Sequence, residues 1–230
     1  EMLSPLTTKP KGQVAQRMHM ACTPFASTGY LTRMAAVAGS VADEVLSAMC
    51  QHADISRAYV NNGGDIALYL GRGTSLSTAI KDHDGRDLGR IQIDASDQIG
   101  GIATSGRLGR SHSLGIAESV TVLSPSAAAA DVAATLIANA VDLPGHPAIT
   151  RRAACDLDEA SDLGDLPVVT GCDPLSAAEC TRALAAGKRR ADDFQRQGLI
   201  NMAALFLQGH VATSPSYLLT PSKEPIHVQA

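Results

Sequence analysis

Three short constellations in this chain combine residue types that can do chemistry. Asn61-Asn62-Gly63-Gly64-Asp65 sets two glycines between strand-like runs, with a carboxylate beside them. The glycines permit positive φ and leave backbone N–H groups exposed, and the carboxylate can orient a hydroxyl or an amide. An ordinary hairpin turn is the competing reading. Thr104-Ser105-Gly106, followed by Arg107, Arg110 and His112, gathers hydroxyls, a glycine and two guanidinium groups in one loop. That set suits a phosphate or pyrophosphate, and a solvated basic loop is the alternative. It contains neither the G-x-x-x-x-G-K-[ST] phosphate loop nor the G-x-S-x-G nucleophile elbow. Asp131 and Thr135 stand four residues apart in an Ala-rich apolar run, so on a helix they share a face. A carboxylate is expensive to bury there without a cation, a backbone N–H or an arginine as partner. A hard cation such as Mg²⁺ takes carboxylate, hydroxyl and carbonyl oxygens. A structural hydrogen bond to a neighbouring loop would serve as well.

The elements that must position these groups are legible in outline. Residues 34–52 carry Val37, Val41, Val45, Leu46 and Met49 near helical spacing, which predicts an amphipathic helix packed on a sheet. Its small-sided start (Ala35, Ala36, Ala38, Gly39) lets backbone or a ligand approach closely. RAYVN and IALYL read as strands flanking the glycine turn. STAIKD and GRIQIDA read as a hairpin around Asp84–Gly85, and GGIATSG and SVTVLS as two further strands. Residues 126–141 are the strongest helix, almost wholly apolar and therefore buried, with Ser124 as expected N-cap and Pro125 in the first turn. Residues 176–197 predict a charged helix opened by a Ser176/Glu179 capping box. LINMAALFLQGHV reads as a last buried strand or helix. Residues 1–24 read as a loose or strand-like entry, and 142–175, with the acidic run DLDEASDLGD, as a solvated loop. The histidines are scattered, which gives a histidine-based metal site little support; His146 reads as a loop histidine.

With 230 residues, one domain over 1–213 and a flexible tail over 214–230 is the expected organisation. Hydrophobic residues make up 45% and charged residues 18%, which suits a packed core and argues against disorder. A net charge of -4 and only 3% aromatic residues disfavour nucleic acid as partner. Five cysteines, an odd number with no C-x-x-C pair, fit free thiols in a reducing compartment. No apolar run approaches the roughly 20 residues of a membrane helix, and no charged-then-apolar leader opens the chain. A cytoplasmic protein without a membrane partner is the expectation.

The order of the pieces adds to this. MAAVAGSVADE, YVNNGGDIAL, GIATSG, SVTVL and AAADVAATLIANAV resemble the ApbE-like FAD:protein FMN transferases. The chain resembles more closely, from about Arg17 to His210, an ApbE-related branch of bacterial and archaeal proteins. The resemblance implies an α+β fold of T-fold type, with antiparallel sheets packed against helices. It implies FAD or FMN as substrate or ligand, Mg²⁺ as cofactor, an acceptor protein and a homo-oligomer. By the same resemblance Asp131, Thr135 and the Ala38 carbonyl would hold the metal, with catalytic roles for Asp131 and His112. Asn62, Gly63, Gly64, Asp65, Thr104, Ser105, Gly106, Arg107 and Arg110 would line the nucleotide pocket.

The chain also departs from the transferase pattern. Gly39 stands where G-G-I-A-K-G has lysine, and HSLGIAES lacks the Asp-Pro of H-x-x-D-P-x-T-G. Early strands that relatives place before the position of Glu1 are expected to be missing from this chain. The sequence thus supports two readings: a Mg²⁺-dependent FMN transferase, favoured by Asp131 and Thr135, or a flavin- or nucleotide-binding module without the transfer chemistry, favoured by the departures. A structural oligomer is a third.

Overall fold

The computed structural model describes residues 8–51, 54–81 and 87–215. Alternation of side chains along the strands divides the fold into layers. Six strands form one sheet: β1 (Arg57–Asn62), β2 (Asp65–Leu70), β5 (Gly101–Ser105), β6 (Ser119–Ser124), β9 (Met202–Leu207) and β10 (His210–Ser214), side by side in that order. Every neighbouring pair is antiparallel. Ala103, Val120, Val122, Ala203, Leu205 and Leu207 face one way and join the larger core with the helices. Ile102, Leu123, Met202, Ala204 and Phe206 face the other way, under the hairpin of β3 (Ser75–Lys81) and β4 (Asp87–Asp94), which contributes Ile80 and Ile93. A period of two thus feeds both cores from single strands.

Four helices cover the first face: α1 (Gln13–Cys22), α2 (Val37–Cys50), α3 (Ala127–Ala140) and α4 (Ala177–Arg196). The mixed α+β class expected from the sequence is what forms. α3 is the central helix, with nine buried residues. Phe194 of α4 meets Phe25 edge to face, with ring centroids 4.9 Å apart, a geometry that aromatic quadrupoles favour. The capping box of α4 forms as predicted, with Ser176 and Glu179 each accepting from the other's backbone N–H.

Several expectations need correction. Of the entry over 1–24, Gln13–Cys22 forms a helix, α1, and not a loose or strand-like segment, while residues 1–7 lie outside the described residues. Val14, Met18 and Cys22 recur every four residues, and the last two are buried. The N-cap of α3 is Ser126, whose side chain accepts from Ala129 N, and not Ser124. A residue before proline is held out of helical backbone; accordingly Ser124 stays in β6 and donates its hydroxyl to Leu199 O at 2.9 Å. The span 142–175 contains a two-stranded ribbon, β7 (Ile149–Ala153) and β8 (Pro167–Cys172), with Val168 fully buried. The small-sided start of α2 packs on a helix as well as on the sheet.

The ambiguous run after Leu199 becomes two strands, and all six residues of β9 are buried. β10 continues to Ser214, which is buried and hydrogen-bonded to Gln195 at 3.2 Å, so the folded body reaches one residue past Thr213. Asp84–Gly85 and the tail from 216 to 230 lie outside the described residues. All five cysteines are free thiols.

Candidate functional site

The glycine turn is a two-residue connection. Asn62 pairs with Asp65 across β1 and β2, and Gly63 and Gly64 between them have φ of +69° and +111°. Left-handed backbone of this kind suits the twist of a tight hairpin and needs residues without a Cβ. Asn61 Oδ1 accepts from Gly64 N at 2.9 Å, which locks the turn. Asn62 Nδ2 donates to Ala38 O at 3.0 Å and ties the turn to the start of α2. Arg110 reaches over from the β5–β6 connection and donates to Gly63 O at 3.2 Å.

The second half of the site lies where α2 and α3 cross. A Cβ on Gly39 would lie 2.3 Å from Ala127 O, so the two backbones touch there. At this crossing Asp131 of α3 accepts from Gly39 N at 3.0 Å, with the Ala38 N–H also bonded to its carboxylate. These N–H groups belong to the first turn of α2, which has no intrahelical partner for them and carries the positive end of the helix dipole. Asp43 of α2 does the converse. It accepts from Ala127 N at 3.1 Å and Ala128 N at 2.9 Å, in the first turn of α3.

The two caps differ in electrostatic company. Burial raises the pKa of Asp131, and the nearby Asp65 carboxylate raises it further, against the lowering by the Gly39 and Ala38 N–H groups. Asp65 is raised in turn by burial, against the Thr104 N–H and the Arg110 guanidinium, which lower it. Asp43 is also raised by burial, but the charge beside it is that of Arg17, which favours its ionised form. Arg17, Met20, Phe25, Asp43, Ser126 and Leu199 line a cavity of about 270 Å³ on that side.

The structure brings together Ala38, Asn62, Gly63, Gly64, Asp65, Arg110 and Asp131, with Thr135 half-buried one turn along α3. Thr104 joins through its N–H; its side chain alternates to the opposite sheet face and hydrogen-bonds Thr121 at 2.9 Å. Gly106 packs against the Glu118 backbone. Arg107 turns to Glu118 at 3.2 Å. Ser105 is half-buried at the end of β5, while His112 is exposed and makes no polar contact with this group. The next residues are anchored away from it: Leu114 N donates to Asn139 Oδ1 at 3.0 Å and Ile116 N to Val141 O at 2.8 Å. His146 bonds Glu179 at 2.9 Å, in the capping box.

Among the described residues no three His, Cys, Asp or Glu side chains gather as a metal cluster. The candidate oxygen set is instead mixed: the Asp131 carboxylate, the Thr135 hydroxyl and the Ala38 carbonyl, which already accepts from Asn62 Nδ2. Asp43 is the residue that sequence reasoning missed. Its signal is a repeated spacing, a small residue followed four positions later by aspartate: Gly39 to Asp43 and Ala127 to Asp131.

A family model described as AbpE bacteria matches residues 1–213. A UPF0280 protein of Methanopyrus kandleri is 34% identical over 155 residues, which cover 67% of this chain and 59% of that protein. UPF0280 proteins of Methanosarcina acetivorans and Methanothrix thermoacetophila are 36% and 37% identical over 111 and 109 residues. Those matches cover 48% and 47% of this chain, and 43% and 45% of theirs. The chain thus spans about half the length of these curated relatives. No helix among the described residues is long and apolar enough to cross a membrane.

Proposed function

This chain belongs to the ApbE-like bacterial family whose model spans it, and from that premise we propose that it handles FAD with Mg²⁺ and transfers FMN to a hydroxyl of an acceptor protein. The six-stranded sheet with its helix layer is read as the T-fold-like body of such a protein, working in the cytoplasm as a homo-oligomer. One observation carries the functional reading: the contrast between the two helix caps. The Asp43 cap has Arg17 near it, itself paired with Glu44 at 2.6 Å, whereas the Asp131 cap faces a second carboxylate, Asp65, on which Arg110 acts from the exposed rim. Two partly buried carboxylates of like charge are costly unless a cation or a proton joins them. Asp131, Thr135 and Ala38 O would hold that cation with the hard oxygen donors that Mg²⁺ prefers.

Bound Mg²⁺ supplies charge neutralisation at the transferring phosphoryl group. The chain's own groups supply the rest. Gly64, where a Cβ would meet nothing within 4 Å, leaves room for a nucleotide to approach the backbone of the turn. Arg110, exposed at the rim, is placed to pair with its phosphates. The acceptor hydroxyl forms the new bond to the FMN phosphorus as the bond to AMP breaks. Asp65, shifted toward neutrality by burial, is a group able to hold the proton released.

A second reading, a flavin-binding module without transfer, is favoured by Gly39. The helix crossing has no room for the transferase lysine at that place. Purified protein incubated with FAD, with and without Mg²⁺, decides between them. Mg²⁺-dependent AMP release that disappears in Asp131→Ala supports transfer. FAD binding without AMP supports the module, and absence of flavin binding overturns both.

A further inference from the structure

The caps at the helix crossing form a closed circuit. Gly39 N donates to Asp131 on α3, Asp43 lies one turn beyond Gly39 on α2, and Asp43 accepts from Ala127 N and Ala128 N, one turn before Asp131. Backbone contact between Gly39 and Ala127 closes the centre. Each helix therefore holds the first turn of the other, and sliding α3 along α2 would stretch both caps together. Ser126, the ordinary N-cap of α3, lies outside the circuit, because it bonds only within its own helix, to Ala129 N.

We infer that Asp43 is a positioning residue for the cation site: by clamping the first turn of α3 to α2, it sets where the Asp131 carboxylate stands relative to Ala38 and Asp65. It touches neither metal nor nucleotide. The inference rests on reading Asp131 as a cation ligand. It adds that a carboxylate on the far side of the crossing, next to Arg17, governs that ligand's placement. The geometric reason is short range. One helical turn separates the Asp43 cap from Asp131, so a shift of α3 caused by losing the cap is passed along a rigid rod to the carboxylate. Metal sites are sensitive to such supports because ligand positions must hold within fractions of an ångström.

The test uses Mn²⁺ as a paramagnetic stand-in for Mg²⁺. Free Mn²⁺ is titrated by electron paramagnetic resonance against wild type, Asp43→Asn, Ser126→Ala and Asp131→Ala, with thermal unfolding of each recorded in parallel. Wild type should bind and Asp131→Ala should not. Asp43→Asn should weaken binding by about tenfold, the order seen when a metal ligand's support is removed. Ser126→Ala should lower the melting temperature yet leave Mn²⁺ affinity within about twofold, since a cap bonded only within its own helix does not hold α3 to α2. Asp43→Glu, which keeps a carboxylate on a longer arm and so misplaces the clamp, replaces Asp43→Asn should that variant fail to fold, with the same weakening expected.

If Asp43→Asn binds as wild type does, or if Ser126→Ala weakens binding equally, the positioning role is overturned while Asp131 remains a ligand. If wild type does not bind Mn²⁺, the cation reading itself falls, and the positioning role with it. A readout without metal separates the circuit from that reading. The melting-temperature losses of Asp43→Asn and Asp131→Asn should fall short of additivity in the double variant, and strict additivity would overturn the circuit.

Discussion

Gly39 occupies the position where a missing side chain matters most. Its would-be Cβ meets backbone atoms of Ala127 and Ala128, which no rotamer change can move aside. Gly39→Ala should therefore cost about 1–3 kcal/mol, the usual penalty of overpacking, measured by urea unfolding. A neutral result would mean that the two helices do not touch there. Glu179 offers a pH-dependent check. Hydrogen bonds from the Ser176 side chain, the Ser176 N–H and His146 hold its carboxyl down at about 2, below the ordinary 4.5. A depressed carboxylate stabilises the fold above its unfolded pKa and loses that contribution as pH falls through the folded value. The stability advantage of wild type over Glu179→Gln should be full near neutrality, shrink as pH falls below about 4.5 and vanish near pH 2. An acid-unfolding series in which the gap stays constant would contradict this origin.

At the scale of elements, α3 is the scaffold on which the site depends. It touches α2 at the crossing and α4 and the sheet elsewhere, and Ile137, fully buried, lies in the larger core. Ile137→Ala should destabilise by about 2–5 kcal/mol, because the rigid surroundings collapse only partly around the lost atoms. Calorimetry or denaturant unfolding reads this directly. The β1–β2 hairpin depends instead on its turn chemistry, and the helix starts on carboxylates lent by their neighbours. These elements were partly legible in the sequence. The Asn-Asn-Gly-Gly-Asp turn, the apolar run of α3 and the Ser176/Glu179 box all announce themselves through local chemistry. α1 and the β7–β8 ribbon did not, because short segments of weak periodicity become regular only when a core packs against them.

At the scale of the whole molecule, the site is assembled from segments about 90 residues apart in the chain, with Gly39 and Asp131 in direct hydrogen bond. A cation bound there joins α2 to α3 and should stabilise the native state alone. At a concentration about a hundredfold above its Kd, that linkage amounts to about 2.7 kcal/mol. Mg²⁺ should accordingly raise the melting temperature of wild type by several degrees and leave Asp131→Ala unmoved. Equal shifts in both proteins would assign the effect to some other ion site.

By itself the sequence determined the periodic and punctuated parts: the class of fold, the paired strands, the glycine turn, the buried helix with its awkward aspartate, and the family. Those features depend on neighbours within a few residues, where spacing is information. Tertiary structure decided what Asp131 faces, which of the loop residues turn away, and that Asp43 answers Asp131 across the crossing. Thr104 and Arg107 belong to a plausible phosphate loop in sequence, yet strand alternation carries the Thr104 hydroxyl to the opposite face and Glu118 draws Arg107 aside. Side-chain direction and long-range pairing depend on how whole elements pack, and no local spacing records that.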